Sequence, residues 1–341
     1  MNRALVRIVL VVAAVMMLPF NCPAPLTYRA GEGWTYEPVG GGKWQRARAK
    51  DQLEVAQTAF DKKQYGLALK AARRTVKKWP LSDYAPQAQY LLGRCYETRH
   101  HDQKAFKEYQ TLLEKYPKVP NYEEVVRRQY EIANRFLAGE WIKVWGVIPF
   151  FPSMDKTAEM YTKLIRNGLY SDVAPQAQMN IGAARERQKD YPQAVKAYEL
   201  AADRYNDQAP IASEALYKAG LAYMKQAQKA EYDQGAAFDA IDTFNRFIAL
   251  YPNDKHVKEA QKHIEEMKTE QARGAFEIAH YYEKKRRWLA AQIYYNAAAD
   301  RDPASKYAEE ARRRIDAIKR HTAPQPGGKP TAASGKVEGG K

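Results

Sequence analysis

Residues 82–89 read Ser-Asp-Tyr-Ala-Pro-Gln-Ala-Gln, and residues 171–178 read Ser-Asp-Val-Ala-Pro-Gln-Ala-Gln. The correspondence continues without a gap at the same offset, through the pairs Gly93/Gly182, Glu97/Glu186, Ala105/Ala194, Lys107/Lys196, Tyr109/Tyr198 and Tyr116/Tyr205. A match of this length indicates that one supersecondary unit is used at least twice. Repeat arrays bind other molecules far more often than they catalyse reactions, so the pattern favours a binding function.

The spacing of small, aromatic and proline residues in each unit is typical of a tetratricopeptide repeat, a pair of helices in about 34 residues. In residues 86–119, Gly93 and Ala105 are the small residues that let two helices approach closely. Tyr109 is an aromatic filler, and Pro117 ends the second helix. Since each unit leaves an apolar face for its neighbour, we predict an all-α, right-handed superhelical solenoid of about six helix pairs.

The predicted organisation of the chain is a signal peptide (1–21), an extended tether (22–45), a solenoid (46–320) and a tail (321–341). The predicted repeats lie near 49–82, 86–119, 126–170, 175–208, 213–252 and 272–305, with an insertion at 139–155 and a capping helix at 306–320. Residues 255–285 contain no proline, which predicts one long helix leading into the last repeat. The tail is rich in Pro, Gly, Ala, Ser and Lys, which predicts disorder.

The N-terminus has the pattern of a bacterial export signal. Arg3 and Arg7 precede an unbroken apolar run from Ile8 to Phe20, which is too short to span a bilayer. Cys22 follows this run, where lipoprotein processing would attach a lipid to the thiol. Asn21 is a poor residue at the cleavage position, so two outcomes stay open: lipid attachment at Cys22, or a soluble periplasmic protein with an incidental cysteine.

The chain has 341 residues and a formal net charge of +15. Such a charge often indicates nucleic acid binding, but export makes that partner improbable, and we expect none. Anionic lipid head groups, cell-wall polymers and acidic protein surfaces are better candidates. A basic surface that is merely solvated is the commonest alternative.

The sequence contains no recognisable catalytic motif. There is no Gly-x-Ser-x-Gly elbow and no His-Glu-x-x-His pair, and the adjacent His100 and His101 have no cysteine or carboxylate cluster to complete a metal site. We therefore expect a protein that is not an enzyme and that uses no cofactor and no metal. A solenoid-bearing cell-wall hydrolase is the enzymatic alternative, but no catalytic domain follows residue 320.

A groove formed by the first helices of the repeats is the first candidate binding site. In this architecture those helices line the concave face, and aromatic, Arg and Asn side chains there suit an extended peptide. In the N-terminal repeats the predicted groove residues are Phe60, Gln87, Tyr90, Arg94, Arg127, Tyr130 and Asn134. The alternative is that several of these rings simply pack between repeats.

The insertion is the second candidate. Residues 141–152 carry Trp141, Trp145, Phe150 and Phe151 in a loop that also contains glycine and proline. Such a segment either folds back on the solenoid or forms an exposed patch that docks a partner or a membrane surface.

One stretch resembles a known family. Residues 251–260 read Tyr-Pro-Asn-Asp-Lys-His-Val-Lys-Glu-Ala and continue to the Ala-His-Tyr-Tyr-Glu-Lys of 279–284 and the Trp-Leu-Ala-Ala of 288–291. Together with the export signal and Cys22, this stretch is similar to the BamD/ComL-type outer-membrane assembly lipoproteins. The weak lipid-attachment motif, the apolar insertion, the Gly/Trp-rich tether and the basic tail depart from that family.

The resemblance implies a scaffold at the periplasmic face of the outer membrane that binds the β-barrel assembly machinery and unfolded outer-membrane proteins. Its N-terminal groove would bind signals of the unfolded proteins, and its C-terminal repeats would dock the machinery. The alternative function is a generic periplasmic tetratricopeptide scaffold for cell-wall or Tol-type envelope machinery. The alternative location is the soluble periplasm.

Overall fold

The structure is a computed structural model that describes residues 26–29, 33–36, 44–139, 142–144, 148–150, 153–229 and 234–322. The chain divides into two compact units. The first comprises the chain up to Ile132 together with Ile142–Pro149, and the second comprises Ala133–Trp141 and the chain from Phe150 onward. The predicted signal peptide, Cys22 and residues 323–341 of the predicted tail lie outside the described residues.

The first unit is built from helices joined by short turns. They are α1 (Ala49–Asp61), α2 (Tyr65–Lys78), α3 (Ala85–Thr98), α4 (Asp102–Lys115) and the first part of α5 (Tyr122–Ala138). From α1 to α4, each helix packs against the next, and α1 also packs against α3. Alternate helices therefore form a layer of their own, as expected when helical hairpins stack side by side.

The second unit is also built from helices that pack against their neighbours in the sequence. Its helices are the rest of α5, α6 (Met154–Asn167), α7 (Ala174–Arg187), α8 (Tyr191–Arg204), α9 (Ala209–Lys229), α10 (Gln234–Leu250), α11 (Val257–Lys284), α12 (Trp288–Arg301) and α13 (Lys306–Thr322). From α6 onward each helix packs against the next, and α7 also packs against α9 and α11 against α13. The predicted fold class, an all-α tetratricopeptide solenoid, is confirmed. Helix α11 is the predicted long proline-free helix.

Two short strand pairs accompany the helices. Strand β1 (Leu26–Arg29) pairs antiparallel with β2 (Gly33–Tyr36), so that Leu26 lies opposite Tyr36. Strands β3 (Ile142–Val144) and β4 (Ile148–Phe150) form a second two-stranded sheet. The sequence predicted a tether and an insertion in these places and gave no signal of strand pairing.

The repeated sequence folds in the same way twice. Helices α6, α7 and α8 begin and end at residues that correspond one for one to those of α2, α3 and α4. Within the repeated octapeptide, Ser82 and Ser171 each donate a hydroxyl hydrogen bond to the carbonyl three residues earlier, at 3.0 and 2.7 Å. Pro86 and Pro175 lie in the first turn of α3 and α7, where a helix does not need the missing N–H. The octapeptide therefore closes one loop and starts the next helix.

The turns inside four of the hairpins share an uncommon backbone conformation. Among the described residues, the non-glycine residues with positive φ are Lys63 (58°), His100 (53°), Lys189 (59°) and Arg286 (56°). Each follows the first helix of its pair. The amide of Lys189 donates to the Glu186 carbonyl at 2.9 Å, and that of Asp190 donates to the Arg185 carbonyl at 3.0 Å. These bonds satisfy the last carbonyls of the helix and hold the left-handed residue in place.

Glycine sets the closest approach within three of the hairpins. A Cβ built on Gly220 would lie 2.6 Å from Cε1 of Phe244, and a Cβ on Gly93 or Gly182 would come still closer to the ring of Tyr109 or Tyr198. These distances are far below van der Waals contact, so no larger residue fits unless a ring moves. The rings cannot move easily, because Tyr109, Tyr198 and Phe244 have no exposed surface.

A glutamate one helical turn after the small residue receives the tyrosine hydroxyl. Tyr109 donates to Oε2 of Glu97 at 2.7 Å, Tyr198 to Glu186 at 2.8 Å and Tyr295 to Glu283 at 2.5 Å. In the repeat where the ring is Phe244, the corresponding residue is Met224. In these four described repeats, the carboxylate is therefore present where a buried hydroxyl needs an acceptor and absent where the ring has no hydroxyl.

Each of these glutamates also binds a cation from a following helix. Nη1 of Arg128 on α5 lies 3.3 Å from Glu97, and Nη1 of Arg314 on α13 lies 3.5 Å from Glu283. Lys225 on α9 pairs with Glu186. Each glutamate thus joins the hairpin to the next helix through a charge-assisted hydrogen bond and an ion pair.

The buried tyrosines have perturbed ionisation. Burial, the hydrogen bond to Glu97 and its negative charge raise the pKa of Tyr109 far above the ordinary value of 10. Burial and the charge of Glu186 do the same to the pKa of Tyr198. Both phenols therefore stay protonated as long as the fold is intact.

The glycine contact can be tested with Gly93→Ala. The added Cβ overlaps the immobile Tyr109 ring, so we expect the free energy of unfolding in urea to fall by about 1–3 kcal/mol. Gly66→Ala is the matched control, because Gly66 lies in α2 and a Cβ there meets nothing within 4 Å. That control should be neutral or stabilising by up to about 1 kcal/mol. Equal losses in the two variants would show that the close approach does not limit the fold.

The raised pKa values of the two buried tyrosines predict that the folded protein loses stability in alkali. Above a pH of about 10 the unfolded chain releases the phenol protons while the folded chain keeps them, so the free energy of unfolding falls as the pH rises. Replacing Tyr109 and Tyr198 with Phe should make this fall shallower by about 1 kcal/mol per pH unit for each residue over this range. Urea unfolding between about pH 10 and pH 11 measures the slope. An unchanged slope after these two substitutions would contradict the prediction.

Candidate functional site: an apolar groove in the first unit

A cavity of about 750 Å³ opens in the first unit between α1, α3 and the loop that joins α4 to α5. Its lining residues are Gln57, Asp83, Pro86, Gln87, Tyr90, Leu91 and the run Tyr116–Asn121. The walls are mainly ring and aliphatic carbon, with amides at Gln57, Gln87 and Asn121. This volume is within the usual range of ligand pockets. Such pockets also typically have apolar walls that carry a few polar groups.

Local sequence explains the shape of the loop wall. Pro117 and Pro120 cannot continue a helix, so the chain stays in an irregular conformation between α4 and α5. Val119 is buried, with 7% of its surface exposed, and its amide donates to the Tyr116 carbonyl at 3.1 Å. The Tyr116 hydroxyl donates to the carbonyl of Pro80 at 2.9 Å, which ties this loop to the preceding one.

The ring of Tyr90 is fixed by three hydrogen bonds. Its hydroxyl donates to Oε1 of Glu124 at 2.5 Å. The Tyr90 hydroxyl oxygen also accepts from Nε of Arg128 at 3.1 Å and from Nη1 of Arg94 at 3.2 Å. The hydrogen bonds from Tyr90 and Arg128 lower the pKa of Glu124, so this carboxylate stays charged near neutral pH. Tyr90 therefore presents a preorganised aromatic face to the cavity.

Arg94 also joins a second aromatic residue to this cluster. Its guanidinium lies 5.7 Å from the ring centroid of Phe60 and 5.8 Å from that of Tyr90, within the range of cation–π attraction. The structure therefore brings together four of the predicted groove residues. Gln87 and Tyr90 line the cavity, and Phe60 and Arg94 support the Tyr90 end of it.

The other predicted groove residues are placed differently. Arg127 and Tyr130 lie on α5 and are not part of the cavity lining. Asn134 belongs to the second unit, where its Oδ1 accepts from the Tyr161 hydroxyl at 2.5 Å and from Nδ2 of Asn180 at 3.0 Å. In that position its carboxamide serves a hydrogen-bond network of the second unit.

The insertion residues are only partly described. Trp141, Trp145 and Phe151 lie outside the described residues, and for Phe150 the structure gives only its backbone in β4. Their role as a docking element therefore stays a prediction.

Sequence reasoning missed most of the cavity, because only Gln87 and Tyr90 of its twelve lining residues were predicted. Pro86, Leu91 and the loop residues Val119 and Pro120 were not among the predicted groove residues. The available signal was the Tyr-Pro-Lys-Val-Pro-Asn run at 116–121, in which two prolines force a loop beside the start of a helix.

The described ranges also bear on metal binding and membrane insertion. There, no group of three or more His, Cys, Asp and Glu side chains is placed to hold a metal ion. The His256 ring stacks on the Tyr217 ring, with centroids 4.4 Å apart, and its Nδ1 lies 3.2 Å from Oε2 of Glu259. None of the described helices combines the length and apolarity that crossing a bilayer requires.

Comparison with known families gives two matches. Residues 154–298 match the YfiO family, described as an outer membrane lipoprotein, and residues 53–120 match the tetratricopeptide repeat. No curated protein sequence matches this chain significantly.

Solved structures with a similar arrangement are tetratricopeptide proteins at low identity. The C-terminal part of a repeat-containing protein from Cytophaga hutchinsonii is 16% identical, with 77% of this chain and 87% of that chain covered and a TM-score of 0.34. A tetratricopeptide repeat protein from Parabacteroides merdae is 13% identical, with 79% and 98% covered and a TM-score of 0.31. These TM-scores are too low to support any functional conclusion.

The stacked hairpins, the glycine–aromatic contacts and the two family matches agree over the described helices. The chain folds as a tetratricopeptide-repeat solenoid, its residues 53–120 match the tetratricopeptide repeat family, and its residues 154–298 are similar to an outer membrane lipoprotein family.

Proposed function

We propose that this protein is a scaffold at the periplasmic face of the outer membrane that binds unfolded outer-membrane proteins and the β-barrel assembly complex. The observation that carries the proposal is the apolar groove of the first unit, with Tyr90 held rigidly in its wall. The outer membrane lipoprotein match over residues 154–298 supports a place in the cell envelope. Repeats of this kind act as protein-interaction scaffolds, which supports a role without catalysis.

The groove suits an extended, apolar peptide. Tyr90, Leu91 and Val119 offer surface for side chains of alternate residues in a strand. The exposed amides of Gln57 and Gln87 can donate to and accept from a peptide backbone. Asp83 and Lys118 are the only charged residues in the lining, and their charges offset each other. The groove therefore recognises apolar side chains and backbone rather than a charged segment.

The second unit supplies the docking part of the proposal. The outer membrane lipoprotein match spans most of its helices, from the start of α6 into α12. We assign contact with the assembly complex to these repeats and contact with unfolded clients to the first unit. A Tol-type or cell-wall scaffold is the competing function, and it would recover different partners.

Peptide binding tests the groove. The double variant Gln57→Glu and Gln87→Glu adds two charges to the apolar groove at exposed positions, without a change of side-chain size. We expect it to bind a fluorescein-labelled peptide of alternating apolar residues with a C-terminal Phe about tenfold more weakly than the unchanged protein, measured by anisotropy.

Gln176→Glu is the matched control, because Gln176 occupies the same place in the repeated octapeptide but lies in the second unit. It should bind the peptide as the unchanged protein does. Full affinity in the double variant would mean that the peptide, if it binds, does not occupy this groove.

A pulldown from the membrane fraction tests partner and location together. From cells that express the full chain, we expect recovery of β-barrel assembly proteins, identified by mass spectrometry. Cys22→Ala should move the protein to the soluble fraction, because the anchor is proposed to be a lipid on that thiol. Recovery of Tol components in place of assembly proteins would favour the competing scaffold. Retention of the variant in the membrane would show that Cys22 is not the anchor.

A further inference from the structure

A second groove of about 600 Å³ lies wholly within the second unit. Helices α6 and α8 form its two walls, and α7 forms its floor. Its lining residues are Thr162, Ile165, Arg166 and Leu169 from the α6 side, Gln178, Ile181 and Arg185 from α7, and Gln193, Lys196, Ala197, Leu200 and Arg204 from α8. On each helix these residues recur every three or four positions, so each helix contributes one continuous stripe.

The floor and lips of this groove are apolar. Ile165, Ile181 and Ala197 lie between the walls. Leu169 and Leu200 remain 39% and 44% exposed, one on each side. Two large aliphatic side chains in water at the mouth of one groove favour an apolar occupant.

The rim is strongly cationic. It carries Arg166, Arg185, Lys196 and Arg204, and none of the groove-lining residues that the structure describes is acidic. Arg185 is partly neutralised, because its Nη1 lies 2.5 Å from Oδ1 of the exposed Asp155. Within the described residues, Arg166 and Lys196 form no ion pair. The groove therefore combines an apolar floor with positive charge on both walls.

The internal repeat shows that this combination is not a general property of the fold. The corresponding surface of α2–α4 has Pro80, Glu108 and Thr111 where the groove has Leu169, Ala197 and Leu200. There Glu108 accepts a hydrogen bond from Nε2 of Gln89 at 2.7 Å. Corresponding helices thus form a mixed polar surface in α2–α4 and a basic groove with an apolar lining in α6–α8.

The dimensions fit a helix. From Gln193 to Arg204 the α8 stripe runs about 16 Å at 1.5 Å per residue, which is about three turns. Two helices in parallel with apolar stripes facing a common gap form the surface into which a third helix packs. The cations are spread along both walls instead of converging on one point, so they match a row of carboxylates better than a single phosphate head group.

We propose that the groove between α6 and α8 binds an amphipathic helix of a partner protein, with its apolar face on Ile165, Ile181 and Leu200 and acidic side chains beside Arg166, Lys196 and Arg204. This groove and the groove of the first unit then take different ligands. The groove of the first unit is apolar with balanced charge, whereas this one selects an acidic amphipathic segment. This binding is independent of the function proposed for the first unit.

Charge reversal tests the proposal in the full chain. The probe is a synthetic peptide of about fourteen residues, with leucines on one helical face and glutamates beside them, and its binding is followed by fluorescence anisotropy. We expect Arg166→Glu with Lys196→Glu to weaken binding at least about tenfold and to permit binding of the same peptide with lysines in place of glutamates. Binding to the unchanged protein should weaken as salt is added.

Lys77→Glu with Lys107→Glu is the matched control. These residues occupy the corresponding positions of α2 and α4 and produce the same change in net charge. The control should keep full affinity, and circular dichroism verifies that both variants are folded. An equal loss in the two double variants would overturn the proposal, because it would indicate attraction by net charge alone.

A separate variant tests the apolar contacts of the groove between α6 and α8. Leu169→Ser with Leu200→Ser should weaken the glutamate peptide severalfold while keeping the salt dependence, since the cations remain. An unchanged affinity would show that the apolar lips take no part in binding, against the proposal. Failure of the unchanged protein to bind the peptide, with binding to anionic phosphatidylglycerol vesicles that Arg166→Glu and Lys196→Glu abolish, would overturn the proposal in favour of a lipid ligand.

Discussion

The close approach of two helices at glycine is the constraint on which the rest of this structure depends. Because Gly93, Gly182 and Gly220 carry no side chain, an aromatic ring lies directly against the backbone of the facing helix. A ring in that place is fully buried, and a buried tyrosine hydroxyl requires an acceptor. The glutamate that accepts it is then available to pair with a cation of a following helix. The absence of a side chain at glycine thus allows the buried ring, whose hydroxyl needs the glutamate, and the glutamate in turn makes the contact between successive repeats.

The same chain of contacts reaches the groove of the first unit. Arg128 pairs with Glu97, which accepts a hydrogen bond from the Tyr109 hydroxyl. Nε of Arg128 also donates to the hydroxyl of Tyr90. Tyr90 is therefore part of the structural network on one side and part of the cavity wall on the other. A proposed binding surface that is rigid in the free protein loses little conformational entropy when a ligand arrives. The helix packing and the proposed site consequently have the same physical origin.

Much of this arrangement could be predicted from the sequence because its signals are local. Small residues such as Gly93 and prolines such as Pro117 act within one or two turns, and α4 does end at Lys115, just before Pro117. The partners of individual side chains depend on contacts that are distant in sequence. The position of Asn134 in its helix suggested a groove residue, but no local pattern could indicate that Tyr161, beyond the insertion, donates to it. The loop wall and the strand pair β1–β2 escaped prediction because they depend on tertiary contacts and short irregular segments.

The left-handed residues at the hairpin turns have a consequence for proteolysis. Lys63, Lys189 and Arg286 are residues after which a trypsin-like protease cleaves, and each lies at an accessible turn. Such proteases bind their substrates as extended backbone, whereas these residues are held at positive φ by hydrogen bonds to the preceding helix. Cleavage after these particular residues therefore requires that the turn first opens. Cleavage after Lys63, Lys189 or Arg286 thus reports local unfolding of the hairpin that contains that residue.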